Sequence, residues 1–158
     1  MSKPGFREWL AAGKALRGKN LLRHEGPHRL TIGFERQFAQ HIGANQALAL
    51  TSGTVALHAA MTAIGVGPGD EVIVPAYTWI ASAAAPALAG AVPVLADIDE
   101  TLTLDPADLE RKITPQTRAI IPVHMVNSPC NMDAIMEIAR RHSLIVVEDA
   151  CQAVGIDY

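Results

Sequence analysis

Residues 144–153 have the sequence LIVVEDACQA. Its apolar first half ends on two carboxylates, Glu148 and Asp149, which is typical of a buried parallel strand whose carboxyl end opens onto a site. Gln152 follows Asp149 closely enough for both side chains to contact one flat polar ligand. Taken alone, Asp149 is more simply interpreted as the cap of a following helix. The choice between a ligand-binding acid and a helix cap depends on the other motifs of the chain.

Strand-like and helix-like segments alternate along the chain before this stretch. Strands are predicted at residues 47–50, 71–74, 92–96, 118–123 and 144–148, and helices at residues 31–42, 54–64, 79–88, 106–113 and 133–142. Such alternation predicts βαβ units with mostly parallel pairing and helices on both faces of the sheet. The expected fold class is therefore α/β, with three layers.

Length and composition limit the number of domains and the kinds of partner. The chain has 158 residues, 49% of them hydrophobic and 18% charged, which suffices for one core but not for a second complete domain. Residues 1–30 are interpreted as an amino-terminal arm and residues 31–158 as one body. The net charge is −3, the pI is about 6.0 and the basic residues are spread out, so nucleic-acid binding is not expected.

Location and metal binding are also predicted from the sequence. The amino terminus lacks the apolar segment of a signal peptide, and no apolar run is long enough to cross a bilayer, so a cytoplasmic protein without membrane contact is expected. Cys130 and Cys151 form neither a CxxC pair nor part of a metal-ligand cluster. Both are interpreted as packing residues, and no metal site is predicted.

The tripeptide Ser52-Gly53-Thr54 lies where the first predicted strand turns into a helix. Gly53 lets the backbone approach an anion, Thr54 offers a hydroxyl, and the start of the helix offers free N–H groups, a combination that suits a phosphate. A simple helix cap explains the same residues equally well. A Walker loop is excluded because GxxxxGK[ST] does not occur, and the glycines of residues 65–69 follow a helix rather than a strand, unlike a dinucleotide fingerprint.

Two more side chains follow predicted strands. Trp79 could stack on a planar ring, although core packing is the commoner role of a Trp. His124 could act as a general acid or base, but a hydrogen-bonded structural role is favoured. A phosphorylated aromatic ring with a basic nitrogen would fit all of these features. They are the anion site at residues 52–54, the indole of Trp79, the carboxylate of Asp149 and the amide of Gln152. Pyridoxal phosphate is such a ligand, and its pyridinium requires a carboxylate partner.

Five motifs, in this order, resemble those of the DegT/DnrJ/StrS family of pyridoxal-phosphate-dependent sugar aminotransferases, which have the aspartate aminotransferase fold type I. The motifs are SGTVAL (52–57), GPGDEVIVP (67–75), AGAVPV (89–94), ITPQTRAI (113–120) and EDACQA (148–153). The resemblance extends from about Phe34 to the end of the chain. It implies that residues 31–158 are part of the cofactor-binding large domain, without its later segments and without the small domain.

The resemblance also implies a role for each site residue. Gly53 and Thr54 would hold the cofactor phosphate, and Trp79 would stack on the pyridine ring. Asp149 would pair with the ring nitrogen, and Gln152 would contact the ring hydroxyl. The family reaction moves an amino group, commonly from glutamate or glutamine, to a keto sugar that is often nucleotide-linked. Such reactions belong to amino-sugar, cell-surface polysaccharide or antibiotic sugar biosynthesis, and the relatives work as homodimers.

The lysines of the chain depart from the family pattern. Family members hold the cofactor through a lysine well beyond the EDACQA motif, whereas Lys3, Lys14, Lys19 and Lys112 all precede it. Because the Schiff-base lysine is absent from this chain, no catalytic residue is assigned, and a truncated enzyme that is inactive alone is expected. Two alternatives stay open: a sugar dehydratase of the same family, and a non-catalytic fragment that keeps the cofactor pocket or serves as an interaction module.

Overall fold

The computed structural model describes residues 5–17 and 30–156, and the chain divides into two units, residues 1–49 and 50–158. The first unit contains α1 (Phe6–Arg17) and α2 (Leu30–His41). Gly43 follows α2 with φ +69°, a left-handed conformation that ends the helix within one residue of the end predicted at residue 42. The rest of the expected arm, including residues 18–29, lies outside the described residues, and the division into an arm and a body stays a prediction.

The second unit contains the sheet. Its elements are α3 (Gly53–Ala63), β1 (Glu71–Pro75), α4 (Ala81–Leu88), β2 (Val92–Ala96), α5 (Pro106–Lys112), β3 (Thr117–Ile120), α6 (Met132–His142) and β4 (Ile145–Val146). In the described part of the chain, the strands form one parallel sheet in the order β2-β1-β3-β4. None of the helices described is both long enough and apolar enough to cross a membrane.

Helices cover both faces of the sheet because successive residues of a strand point to opposite sides. Val72 and Val74 of β1 belong to a buried cluster with apolar residues of α3 and α4, and Ile73 belongs to a second cluster with those of α5 and α6. All three side chains are fully buried, which stabilises the fold by roughly 1.5–3 kcal/mol each. The predicted three-layer α/β class is confirmed.

Two strand predictions need correction. Residues 47–50 form no strand, since the described residues supply no neighbouring strand to bond them. The strand predicted at the end of the chain shortens to Ile145–Val146. These two residues are half-buried rather than buried because β4 lies at an edge of the described sheet. A single bridge between Val123 and Asp149 continues the parallel pairing as far as the acid.

Candidate functional site

A cavity of about 340 Å³ lies where β1, β3 and β4 end. Parallel strands place their carboxyl ends at one edge of a sheet, and open α/β sheets bind ligands at that edge. The ten lining residues include all five site residues predicted from the sequence: Gly53, Thr54, Trp79, Asp149 and Gln152. The fold therefore brings together side chains that are far apart in the sequence.

Asp149 is the buried acid of this cavity, with only 7% of its surface exposed. Its Oδ1 accepts a hydrogen bond from the Cys151 N–H at 3.1 Å, and its Oδ2 accepts one from the Ser82 hydroxyl at 3.1 Å. Its backbone N–H donates to Pro122 O, and its carbonyl accepts from the His124 N–H. The residues that follow form turns rather than a helix, so the helix-cap interpretation of Asp149 is wrong.

Ser82 is a site residue that the sequence analysis missed. It is fully buried near the start of α4, and its Oγ lies 3.0 Å from Thr78 Oγ1. Thr78 lines the cavity. Ser82 is also the only hydroxyl residue of α4, in an otherwise apolar segment. That isolated polar residue, four positions after Thr78, is the signal that could have identified it.

The start of α3 provides backbone donors at the cavity. Ser52 caps the helix, because its hydroxyl accepts from the Val55 N–H at 3.2 Å. In the described part of the chain, the N–H groups of Gly53 and Thr54 have no hydrogen-bond partner. Both residues line the cavity, at the positive end of the helix dipole. The cap and the anion site are therefore compatible, since the cap uses Ser52 and leaves the next two N–H groups for a ligand.

Trp79 lines the cavity with 72% of its surface exposed, so packing in the core does not explain it. Tyr77, two residues earlier, is 51% exposed and does not line the cavity. An exposed indole in a cavity wall offers an apolar face on which a planar ring can stack.

A tight turn holds Gln152. The Val126 N–H lies 3.3 Å from Gln152 Oε1, and the Asn127 N–H donates to the Gln152 carbonyl at 3.1 Å. Val126 and Asn127 have φ of 49° and 63°, in the left-handed region, which is strained for a β-branched residue such as Val. Because Oε1 accepts from the turn, the amide NH₂ group of Gln152 remains to donate to a ligand.

His124 has a structural role. Its Nδ1 accepts from the Cys130 N–H at 3.1 Å, so its Nε2 carries the ring proton and faces Glu148 Oε2 at 3.1 Å. Its side chain is buried and is not part of the cavity wall. The structural interpretation of this His is therefore supported over the catalytic one.

The two cysteines differ from each other. Cys130 is fully buried, as predicted, but Cys151 is exposed and lines the cavity, so the prediction of a packing role for Cys151 is wrong. Hydrogen bonding to Asp149, together with burial, raises the pKa of Cys151 to about 11. Within the described residues, no group of three His, Cys, Asp or Glu side chains could hold a metal ion.

Comparison with known proteins gives consistent matches. The DegT/DnrJ/EryC1/StrS aminotransferase family matches residues 8–158. The chain is 53% identical over 131 residues to GDP-perosamine synthase of Caulobacter vibrioides, an alignment that covers 82% of this chain and 35% of that protein. These matches confirm the resemblance that the five motifs indicated.

Solved structures have the same fold. The aminotransferase from Psychrobacter cryohalolentis superposes with a TM-score of 0.92 at 36% identity, over 99% of this chain and 39% of that one. A candidate sugar aminotransferase from Streptococcus pneumoniae, in its PLP form, superposes with a TM-score of 0.87 at 30% identity, over 97% of this chain and 42% of that one. The chain thus spans between a third and a half of the length of these relatives.

Proposed function

The chain belongs to the DegT/DnrJ/EryC1/StrS aminotransferase family, and on that premise we propose that it is the part of a sugar aminotransferase that holds pyridoxal phosphate. One observation carries the proposal. The buried carboxylate of Asp149 shares a cavity with Trp79 and with the N–H groups that begin α3. A phosphorylated aromatic ring with a basic nitrogen requires an anion site, a stacking surface and a counter-charge.

The residues present fit this cofactor. Gly53 and Thr54 would hold the phosphate through their N–H groups and the Thr54 hydroxyl. Asp149 would pair with the ring nitrogen, because it accepts hydrogen bonds at both oxygens, as an ionised carboxylate does. The cavity volume, about 340 Å³, lies in the usual range for small-ligand sites.

Trp79 and Gln152 would orient the ring. The exposed indole would stack on it, and the amide NH₂ of Gln152 would donate to the ring hydroxyl. When bound, pyridoxal phosphate supplies an electron sink and a carrier for the amino group. This chain would bind the phosphate, fix the ring plane and keep a negative charge beside the ring nitrogen.

The proposed substrate is a keto sugar, with glutamate or glutamine as the amine donor. The 53% identity with GDP-perosamine synthase supports a sugar, and its name supports a nucleotide-linked one. The homodimer that the family resemblance implies stays a prediction. So does the cytoplasmic location.

We propose further that these 158 residues bind the cofactor reversibly and do not complete transamination by themselves. None of the ten lining residues is a lysine. Lys112 lies in the last turn of α5, a helix that packs on the other face of the sheet from α3. Lys14 lies in α1, which belongs to the first unit of the chain, and Lys3 and Lys19 lie outside the described residues. The described residues of this cavity would therefore provide no amine for a covalent link to the cofactor or for the proton transfer that such a lysine performs.

Titration with pyridoxamine phosphate tests the proposal. This probe has the ring and the phosphate but no aldehyde, so it does not react with surface lysines. Quenching of Trp79 fluorescence, in a Trp9→Phe background, should be saturable, and pyridoxamine without the phosphate should bind at least about tenfold more weakly. Bound probe should also protect Cys151 from alkylation, because Cys151 lines the same cavity.

Asp149→Ala is the decisive variant, and Glu148→Ala is its matched control. Glu148 is the neighbouring acid and does not line the cavity. We expect Asp149→Ala to abolish saturable binding and Glu148→Ala to keep it. Absence of saturable binding by the wild-type chain, or equal binding by Asp149→Ala, would overturn the proposal.

A further inference from the structure

A chain of hydroxyl groups lies behind the cavity wall. Ser82 is fully buried and is not among the lining residues, yet its Oγ lies 3.1 Å from Asp149 Oδ2. Its Oγ also lies 3.0 Å from Thr78 Oγ1. Thr78 and Asp149 both line the cavity, and Ser82 lies behind them. The buried serine therefore connects these two residues by hydrogen bonds on the side that faces away from the cavity.

The direction of these hydrogen bonds follows from proton counting. An ionised carboxylate only accepts, so the single hydroxyl proton of Ser82 is donated to Asp149. The Ser82 oxygen is then the acceptor for the hydroxyl proton of Thr78. Both protons are used, and both bonds point toward Asp149.

We propose that Ser82 is a positioning residue that holds the Asp149 carboxylate in the orientation needed for a ring nitrogen, and that Thr78 orients Ser82 in turn. The inference rests on the proposed function, since it concerns the pairing of Asp149 with the cofactor. The Cys151 N–H holds one carboxylate oxygen and the Ser82 hydroxyl holds the other, so rotation of the group is restrained before a ligand binds. A carboxylate that is already oriented loses less freedom on binding.

A packing explanation of Ser82 is the alternative, because any small residue would fill a buried position in an alanine-rich helix. The two explanations differ in what Ser82→Ala does to Asp149. If only packing matters, alanine is an adequate replacement and Asp149 stays where it is. If the hydroxyl matters, Asp149 gains freedom and its contacts with neighbours change.

Cys151 reports on Asp149 without any ligand. The Asp149 carboxylate and burial raise the pKa of the Cys151 thiol to about 11, which keeps the thiol protonated and slow to alkylate. Loss of the Ser82 hydroxyl should therefore raise the alkylation rate of Cys151 at pH 9. Mass spectrometry of the peptide containing Cys151 reads this rate separately from that of the buried Cys130.

The experiment compares hydroxyl-deletion variants of the 158-residue chain. Ser82→Ala should weaken the binding of pyridoxamine phosphate by about 5–10-fold and raise the alkylation rate of Cys151. Thr78→Val should have a smaller effect in the same direction, about 2–3-fold, and Thr78→Ser should behave like the wild type, because it keeps the hydroxyl. Thr117→Val is the matched control. It removes a buried hydroxyl beside Glu71 at the amino end of the sheet, so it should lower stability without changing either readout.

Unchanged affinity and unchanged alkylation in Ser82→Ala would overturn the proposal, as would equal changes in Thr117→Val. If Ser82→Ala fails to fold, the affinities and alkylation rates of Thr78→Val and Thr78→Ser are compared instead. Equal values in these two variants would overturn the proposal. Failure of the proposed function gives a different result, namely no binding by the wild-type chain. In that case the alkylation rates of the ligand-free variants still decide whether Ser82 positions Asp149.

Discussion

Each end of the parallel sheet carries a carboxylate that accepts a hydrogen bond from a hydroxyl group, and the two carboxylates differ in what surrounds them. At the amino end, Glu71 Oε2 accepts from the Thr114 hydroxyl at 2.5 Å, and the Thr117 hydroxyl lies 3.5 Å away. At the carboxyl end, Asp149 accepts from Ser82 and from the Cys151 N–H. Both clusters are therefore built by similar chemistry, but Asp149 also forms part of a cavity wall.

The comparison shows that hydrogen bonding alone does not mark a carboxylate as a candidate site residue. Its position at the cavity, at the carboxyl ends of the strands, does so. Thr117 accepts from the Thr114 N–H at 2.9 Å, so the Glu71 cluster joins the start of β1 to the loop that enters β3. This is where the register between the two strands shifts. The Asp149 cluster lies at the ends of the strands, beside the unpaired N–H groups of a helix start, where parallel sheets bind ligands. The first cluster should serve stability and the second should serve binding.

The largest expected effect concerns the thiol beside Asp149. The pKa of Cys151 is raised from its ordinary value of 9.0 to about 11, mainly by hydrogen bonding to Asp149. Below pH 9, the thiolate fraction of Cys151 should therefore be about 100-fold smaller than that of an ordinary thiol. Asp149→Asn removes the charge, so alkylation measured from pH 7 to 11 should accelerate by up to that factor. Identical pH profiles in the two proteins would show that Asp149 does not raise the pKa of the Cys151 thiol.

The same shift affects stability. Because the folded pKa of Cys151 is raised, its stabilising contribution is complete below about pH 9 and is lost as the pH rises toward 11, since the unfolded chain releases the proton first. Urea denaturation at pH 8 and pH 10.5 should show this loss in the wild type. Asp149→Asn should reduce it.

A smaller effect is expected at the amino end. Glu71→Gln removes the charge that accepts from the Thr114 hydroxyl, so the free energy of unfolding should fall by about 1–2 kcal/mol. The affinity for pyridoxamine phosphate should not change. Urea denaturation and the fluorescence titration check the two halves of this prediction. A loss of affinity as large as that of Asp149→Ala would show that the two clusters do not have separate roles.

A smaller effect again is expected at the cavity wall formed by Trp79. Trp79→Ala should weaken the binding of pyridoxamine phosphate by about 3–10-fold, which corresponds to the free energy of one stacking contact. Trp79→Phe should recover most of the affinity, because it keeps an aromatic ring. Stability should change little, because the indole is 72% exposed. Binding by these variants is measured by equilibrium dialysis. Tyr77→Ala is the control, since Tyr77 is exposed and does not line the cavity. An equal loss in both variants would contradict a stacking role for Trp79.

The sequence predicts those parts of the molecule that local patterns determine. Trp79 and Asp149 each come soon after an apolar run that pairs in the sheet, so placing them at one sheet edge needs only the assumption of parallel strands. Thr54 was predicted at the same edge from residues 47–50, which form no strand, and it reaches the cavity through the start of α3 instead. Ser82 was not found in this way because it lies within α4 rather than directly after a strand, and its hydrogen bond to Asp149 depends on how that helix packs. The strand predicted at residues 47–50 was wrong for a related reason, since strand formation depends on a distant partner and not only on residue type.

Two other features were missed because residue type was misleading. Val126 adopts a left-handed conformation that is uncommon for a β-branched residue, so no turn was predicted where the chain holds Gln152. Cys151 was interpreted as a packing residue because it belongs to neither a CxxC pair nor a metal-ligand cluster. Its exposure follows from the turn after Asp149, which places it in the cavity wall.

Asp149 and the start of α3 are proposed to bind opposite ends of one phosphorylated ring. A crystal structure of the 158-residue chain with pyridoxamine phosphate would show both ends at once. We expect the phosphate at the N–H groups of Gly53 and Thr54, with the ring nitrogen about 3 Å from an Asp149 carboxylate oxygen. A phosphate bound elsewhere, or a ring nitrogen turned away from Asp149, would contradict it.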